Sequence, residues 1–157
     1  MNYEFEIREI EPITVATLGY KGKALDAAKY FPKVFKSIQG KACGAPMCCF
    51  KNIDEGTQTG DVEICVPIAV VPSTHGIMVK DLPRIKAVCT THIGKYEKLR
   101  NAYKALEDYF ERNGLSGGLP VREVYIKGPG MFFKGNQNKY ITEVIIPIID
   151  DESGGGV

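Results

Sequence analysis

Apolar and polar residues alternate along most of this chain in short runs, a pattern with a period of two that is typical of half-buried strands. Residues 3–9 alternate aromatic or aliphatic side chains with charged ones, and residues 141–149 are rich in β-branched residues. Turn-forming Gly, Pro and Asn residues separate the runs. The predicted strands cover residues 3–9, 13–20, 47–53, 61–70, 77–82, 85–92, 121–127 and 141–149.

Two segments change to helical spacing. Residues 24–39 form the first predicted helix, which Gly40 ends, and Pro32 within it indicates a kink or a later helix start. Residues 95–112 form the second, which ends at Asn113 and Gly114. The apolar stripe of the second helix is made of Tyr96, Leu99, Tyr103, Leu106 and Phe110.

The second half of the chain repeats the order of the first. A shift of 72 residues places Ile13 on Ile85, and a shift of 80 places Glu63 on Glu143. The predicted fold class is therefore α+β, with two duplicated ββαββ units, residues 3–70 and 77–149, related by pseudo-two-fold symmetry. We expect antiparallel sheets and two long helices around a central cleft. Residues 1–149 would form one domain and residues 150–157 a flexible tail.

Composition and charge narrow the function classes. The 157 residues suffice for one domain with a real core, and the net charge of +1 gives no reason to expect nucleic acid or an acidic membrane. No apolar run approaches the roughly 18 residues of a membrane span, and the N-terminus lacks a signal-peptide pattern. Five cysteines without zinc-type spacing fit reduced thiols. We expect a cytoplasmic protein with no metal and no cofactor.

Glu143 is the first candidate for chemistry, because it lies between Ile141 and Ile145 on an apolar strand face. A buried carboxylate is costly unless it is paired, neutralised or available to a cation. Glu143 could therefore receive a cationic ligand or act as a general acid or base, and the alternative is a structural pair with a lysine, arginine or tyrosine. Its repeat mate Glu63 shares a face with Asp61 and should be more solvated.

Aromatic residues are the second group of candidates. Tyr125 faces the same way as Glu123 and Lys127, either into the cleft or at its rim. Phe50 holds the matching position in the first half and would be either the opposite wall or core. The helix residues Tyr96, Tyr103 and Phe110 fit a core stripe better than ligand contacts. Phe132 and Phe133 would form a lid over the cleft or cover the sheet edge.

The chain has two histidines. His92 closes a strand just before a helix and suits a structural cap, while His75 lies in a linker. Cys89 and His92 are three residues apart on one strand, on opposite faces, which argues against a nucleophile pair. No Ser–His–Asp arrangement, Walker loop or dinucleotide fingerprint is present.

Several motifs in order make the chain resemble the GyrI-like effector-binding domain family, the ligand domain of multidrug-sensing bacterial transcription regulators. It resembles the stand-alone members, which consist of that domain only. One departure is Phe50, where many members carry a tyrosine. The motifs are Gly44-Ala45-Pro46 leading to Phe50, Gly60-Asp61-Val62-Glu63-Ile64-Cys65-Val66-Pro67-Ile68, His92-Ile93-Gly94-Lys95-Tyr96, Pro120-Val121-Arg122-Glu123-Val124-Tyr125 and Thr142-Glu143-Val144-Ile145-Ile146-Pro147-Ile148.

The resemblance implies a central pocket in which Glu143 is the cation-binding carboxylate. The leading hypothesis is a sensing protein that binds a hydrophobic or cationic small molecule. An alternative is a hydrolase of strained, cyclopropanoid electrophiles that uses Glu143 with Tyr125. Another is an inhibitor of a protein partner such as DNA gyrase, and a haem site would need one of the two histidines. The predicted ligand-binding residues are Glu143, Tyr125, Phe50, Glu63, Tyr96 and Phe133.

Overall fold

A computed structural model of the chain describes residues 2–54, 56–73, 76–129 and 135–149. Its α-helices are α1 (Phe31–Ser37) and α2 (Leu99–Arg112), and short 3-10 helices cover Ala24–Lys29, Tyr96–Lys98 and Gln137–Lys139. The predicted strands and the α+β class are confirmed. The strands are β1 (Phe5–Ile10), β2 (Ile13–Lys23), β3 (Met47–Asp54), β4 (Thr59–Pro67), β5 (Met78–Leu82), β6 (Ile85–Ile93), β7 (Val121–Lys127) and β8 (Ile141–Pro147).

All eight strands belong to one antiparallel sheet, in the order β1-β6-β8-β7-β3-β4-β2-β5. Separate sheets were expected, and that prediction is wrong. The two halves are joined by β3 and β7, which pair from Met47 opposite Val124 to Phe50 opposite Val121. Without this pairing, two strand edges in the middle of the protein would leave their backbone groups unpaired, so one continuous sheet is favoured.

The sheet curls strongly, because two very short links join strands that are distant in the sheet. Only two residues separate β1 from β2, and two separate β5 from β6. Such a link spans at most about 11 Å. In a flat sheet β1 and β2 would lie roughly 28 Å apart, at about 4.7 Å per strand. Arg84 ties the links together through Glu9 and Glu11, at 2.7 and 2.8 Å.

Both helices cover the same face of the sheet, here called the helix face. Val34 and Ile38 of the α1 region pack on β2, β3 and β4, and Leu106 of α2 packs on β6 and β8. The opposite face encloses its own apolar clusters, which include Val15 and Ile145. None of the helices in the described ranges is long and apolar enough to cross a membrane.

The first helix is shorter than predicted. Residues 24–39 were predicted as a helical segment with a kink or a later helix start at Pro32, and the later start is confirmed, because a 3-10 segment precedes α1 and Pro32 lies in the first turn of α1. Proline has no backbone N–H and its ring collides with the preceding turn, so it is tolerated only where a helix begins. The second helix is 14 residues long, and it buries Leu99, Ala102 and Leu106.

Candidate ligand-binding site

The middle of β7 carries the residues that meet both helices. Side chains alternate along a strand, so Glu123 and Tyr125 point to the helix face, whereas Arg122 and Val124 point away from it. Glu123 pairs with Cys48 of β3 and with Val144 of β8. It therefore lies near the centre of the sheet, where the two halves join.

Glu123 accepts two hydrogen bonds from tyrosine hydroxyls. The hydroxyl of Tyr125 donates to Oε1 at 2.8 Å, and the hydroxyl of Tyr103 on α2 donates to Oε2. Among the described residues, no lysine or arginine forms a salt bridge with Glu123. The carboxyl group thus has neutral hydrogen-bond donors at both oxygens and no positive charge as a partner.

Aromatic rings surround this carboxyl group. The ring of Tyr125 makes edge contacts with Phe31 of α1 and with Tyr96 before α2, with ring centroids 6.0 and 5.7 Å apart. Tyr96 in turn contacts the buried Tyr140 at 5.1 Å. These five aromatic residues, including Tyr103, together with Glu123 are called the central site below. Except for Tyr140, its members are partly exposed as whole residues, whereas the carboxyl group of Glu123 itself is desolvated.

Burial dominates the protonation of the central site. It raises the pKa of Glu123 above the ordinary carboxyl value, and the hydrogen bonds from Tyr103 and Tyr125 act in the opposite direction. Burial first, and then the charge of Glu123, raises the pKa of both tyrosines well above 10.0. Burial also raises the pKa of Cys48, below Tyr125, to about 12. This set can accept a cation or exchange a proton at Glu123.

Glu143 lies on the opposite face of the sheet. It pairs with Val124 in the register of β7 and β8, so it points away from Tyr125. Its Oε2 forms a salt bridge with Nη2 of Arg8 at 3.1 Å, and its side chain is 17% exposed. The structure therefore does not bring Glu143 together with the predicted aromatic wall.

Glu63 also points away from the helices. Its carboxylate accepts a hydrogen bond from the Thr17 hydroxyl at 2.7 Å and forms a salt bridge with Lys80 at 2.7 Å. Both of its oxygens thus have partners, on β2 and β5, and Glu63 is separated from the central site by the sheet.

The remaining predicted residues fall into three groups. Tyr96 is part of the central site, whereas Phe50 is buried in the core beside α1. Phe132, Phe133 and His75 lie outside the described residues.

His92 is buried and uses both ring nitrogens. Nδ1 accepts from the Tyr3 hydroxyl at 2.8 Å, and Nε2–H donates to the Lys95 carbonyl at 3.0 Å. The second contact holds the turn that leads into α2. A haem ligand at His92 would have to break one of these bonds.

Glu123, Tyr103 and Phe31 were not selected from the sequence as site residues. The signal for Glu123 was present, because it lies two residues before Tyr125 and so shares its face. No comparable signal existed for Tyr103 or Phe31. Their positions depend on where each helix packs on the sheet, and both fit an ordinary apolar stripe.

Two open cavities on the described surface are lined by residues outside the central site. One, of about 450 Å³, is lined by residues 92–95, Lys98, Asn101 and Asn138. The other, of about 500 Å³, lies on the face away from the helices, beside Gly19, Glu63 and Lys80. Within the described ranges, no group of three or more His, Cys, Asp or Glu residues is arranged to hold a metal ion.

Comparison with known proteins identifies a family and several solved structures with a similar fold. A family model described as the GyrI-like small molecule binding domain matches residues 3–149. The C-terminal domain of EcmrR has a TM-score of 0.81 at 24% identity, and the alignment covers 96% of this chain and 99% of that domain. In a complex of EcmrR with DNA the TM-score is 0.78 at 24% identity, over 93% of this chain, which spans only 57% of that chain.

Two further structures share the fold at lower identity. SAV2435 bound to tetraphenylphosphonium has a TM-score of 0.64 at 16% identity, with 96% of each chain covered. A hydrolase from Listeria innocua has a TM-score of 0.64 at 14% identity, with 93% of this chain and 92% of that one covered. Comparison with curated proteins finds no significant match.

Proposed function

Because the chain belongs to the GyrI-like small-molecule binding domain family, we propose that it binds a hydrophobic organic cation at the central site. Glu123 would supply the negative charge, and the rings of Phe31, Tyr96 and Tyr125 would supply the aromatic walls. The observation that carries the proposal is the buried carboxyl group of Glu123, which has two tyrosine donors and no cationic partner among the described residues.

The energetics favour a cation with a large apolar surface. A carboxylate loses hydration when it is buried, and two hydroxyl donors replace only part of that hydration. A bound cation would add direct attraction in a region of low dielectric, and aromatic faces attract cations by roughly 0.5–2 kcal/mol each. The raised pKa of Glu123 indicates that the site without ligand disfavours the ionised form. A bound cation would make the ionised form of Glu123 favourable again.

The fold comparison supports the same ligand class. SAV2435 shares the fold, and its structure contains tetraphenylphosphonium, a bulky aromatic cation. A role in sensing such molecules, as in the regulators of this family, is part of the proposal.

Isothermal titration calorimetry with tetraphenylphosphonium tests the proposal. We expect Glu123→Gln to weaken binding by about 10- to 100-fold, since roughly 1.4–2.8 kcal/mol of charge attraction is lost. The neutral analogue triphenylphosphine oxide should bind weakly, and Glu123→Gln should leave its affinity unchanged. This pair of ligands separates the charge of Glu123 from the shape of the site.

Glu143→Gln is the matched control, because it removes the same charge from the other face of the sheet. We expect it to retain the affinity of the parent protein for tetraphenylphosphonium. If Glu143→Gln loses binding and Glu123→Gln does not, the proposal is wrong and the carboxylate predicted from the sequence is the one that binds.

A second candidate function is hydrolysis of a strained electrophile, and the raised pKa of Glu123 favours it. A carboxyl group that holds its proton more tightly than usual can donate it to a leaving group or accept one from water. Tyr103 and Tyr125 would position it. Turnover of a cyclopropanoid substrate that is lost in Glu123→Gln would favour this function, whereas stoichiometric binding without turnover would exclude it.

We also infer that the two halves of the chain arose by duplication. The order strand-strand-helix-strand-strand occurs in each half. In the sheet, equivalent strands follow outwards from the β7–β3 pair in the same order, and the first strand of each half lies at the edge beside the other half, β1 next to β6 and β5 next to β2. This order supports a pseudo-two-fold axis at the β3–β7 pair, next to the central site. A ligand there would contact both halves.

A further inference from the structure

Two buried cysteines lie side by side on the sheet face away from the helices. Cys49 of β3 and Cys65 of β4 are diagonal neighbours, since Cys49 pairs with Glu63 and Cys65 pairs with Met47. Their sulfur atoms are 3.8 Å apart, at hydrogen-bond distance for thiols. Neither thiol belongs to the central site, so any chemistry of this pair is independent of the proposed function.

Arg122 distinguishes Cys49 from Cys65. It lies directly opposite Cys49 in the register of β7 and β3, and it is only 3% exposed. Its Nη2 reaches the Pro83 carbonyl at 3.4 Å, while its Nε has no hydrogen-bond partner. A buried guanidinium with an unused donor is costly unless an anion lies nearby. A thiolate at Cys49 would be that anion.

The two thiols are therefore suited to different roles. The hydrogen bond with Cys65, together with the charge of Arg122, lowers the pKa of Cys49 below the usual thiol value. The same hydrogen bond and burial raise the pKa of Cys65. An attacking thiol benefits from thiolate character, whereas its neighbour can remain protonated until the second step.

A route for a small reagent leads past Glu63 and Lys80. These residues border the open cavity of about 500 Å³, and they are close enough to Cys49 and Cys65 to influence both thiols. Gly19 lies opposite Glu63 and adds no side chain to this cavity. Cys49 and Cys65 are 3% and 0% exposed, so only a small reagent would reach them, by brief opening at this point.

We propose that Cys49 and Cys65 form an oxidisable dithiol, which a hydroperoxide converts to a disulfide. The Cys49 thiolate attacks the peroxide oxygen, the O–O bond breaks, and the leaving oxygen takes a proton. The Cys65 sulfur then attacks the Cys49 sulfenic acid, and water leaves. Two thiols and one hydrogen peroxide thus give one disulfide and two waters. The sulfurs must approach by about 1.8 Å to reach the disulfide distance.

The test uses the full chain with Cys43→Ser, because Cys43 is exposed and could form disulfides between molecules. After treatment of the folded protein with hydrogen peroxide, the intact mass should fall by two hydrogen atoms. Cys65→Ser should stop at the sulfenic acid, which dimedone traps at Cys49. Arg122→Gln should slow the oxidation about tenfold, and Arg122→Lys should restore most of the rate.

Cys48→Ser and Cys49→Ser form a matched pair, because these adjacent thiols point to opposite faces of β3. We expect Cys48→Ser to keep the loss of two hydrogens and Cys49→Ser to abolish it. The proposal is overturned if the folded protein keeps both thiols at peroxide concentrations that oxidise Cys43 in the parent chain. It is also overturned if Cys49→Ser still forms the disulfide.

Discussion

Glu123 and Glu143 lie on neighbouring strands at almost the same level of the sheet, yet their surroundings are opposite. Glu143 pairs with Val124, so the two glutamates are offset by one register position and point to opposite faces. Glu143 meets Arg8 at 3.1 Å, whereas Glu123 meets the hydroxyls of Tyr103 and Tyr125. One carboxylate is neutralised within the protein. The other has donors but no counter-charge among the described residues.

This difference shows what a carboxylate within the sheet can do in each setting. The salt bridge with Arg8 neutralises Glu143 and links β1 to β8 across β6. Hydroxyl donors orient Glu123 without cancelling its charge. The helix face therefore contains the carboxyl group without a counter-charge among the described residues, and the opposite face contains the one in a salt bridge.

The largest expected effect on stability comes from Tyr103→Phe. This change removes a hydrogen bond to a carboxyl group and leaves one oxygen of Glu123 without its partner, at a cost of about 1.5–3 kcal/mol. The pKa of Glu123 should rise further, because that hydrogen bond lowers it. Urea denaturation measures the loss of stability, and infrared spectroscopy of the carboxyl band reports the protonation.

Tyr109→Phe is the control for this prediction. Tyr109 lies on the same helix and its ring stacks on Phe5 at 4.6 Å, with no side-chain hydrogen bond from its hydroxyl among the described residues. Loss of the Tyr109 hydroxyl should lower the free energy of unfolding by less than about 0.5 kcal/mol. Equal costs for the two variants would mean that the hydroxyl of Tyr103 contributes nothing through Glu123.

Most of the fold could be predicted because it depends on local patterns. All eight strands lie where alternating apolar residues and turn residues place them, and α2 follows its helical stripe. The length of α1 was overestimated since Pro32 must lie in a first turn. The single sheet could not be predicted, because the pairing of β3 with β7 joins segments about 70 residues apart and leaves no local signal.

The candidate site was harder to predict, for a physical reason. Alternation gives two faces for each strand but does not tell which face the helices will cover. Tyr125 was expected to face the cleft or its rim, and Glu123 follows from the same alternation. The isoleucines beside Glu143 indicated burial, but they gave no information about Arg8, which reaches it from β1.

A smaller effect is expected in the pH dependence of stability. Because the pKa of Glu123 is raised in the folded protein, the folded state binds more protons than the unfolded state between the ordinary carboxyl pKa of 4.5 and the raised value. Stability therefore falls as pH rises through this window. Urea midpoints at several pH values should show the parent gaining stability relative to Glu123→Gln on acidification. A constant difference between the two proteins would contradict the raised pKa.

The smallest effect concerns the other face of the sheet. Arg8 and Glu143 form a partly exposed pair, with side chains 35% and 17% exposed, so solvent screens much of their attraction. A double-mutant cycle with Arg8→Gln and Glu143→Gln should give a coupling energy of about 0.5–1 kcal/mol, and added salt should reduce it. A coupling above about 3 kcal/mol would place Glu143 in a dry interior. Glu143 and Glu123 would then be equally buried, and they would differ only in their partners, which are Arg8 for Glu143 and two tyrosine hydroxyls for Glu123.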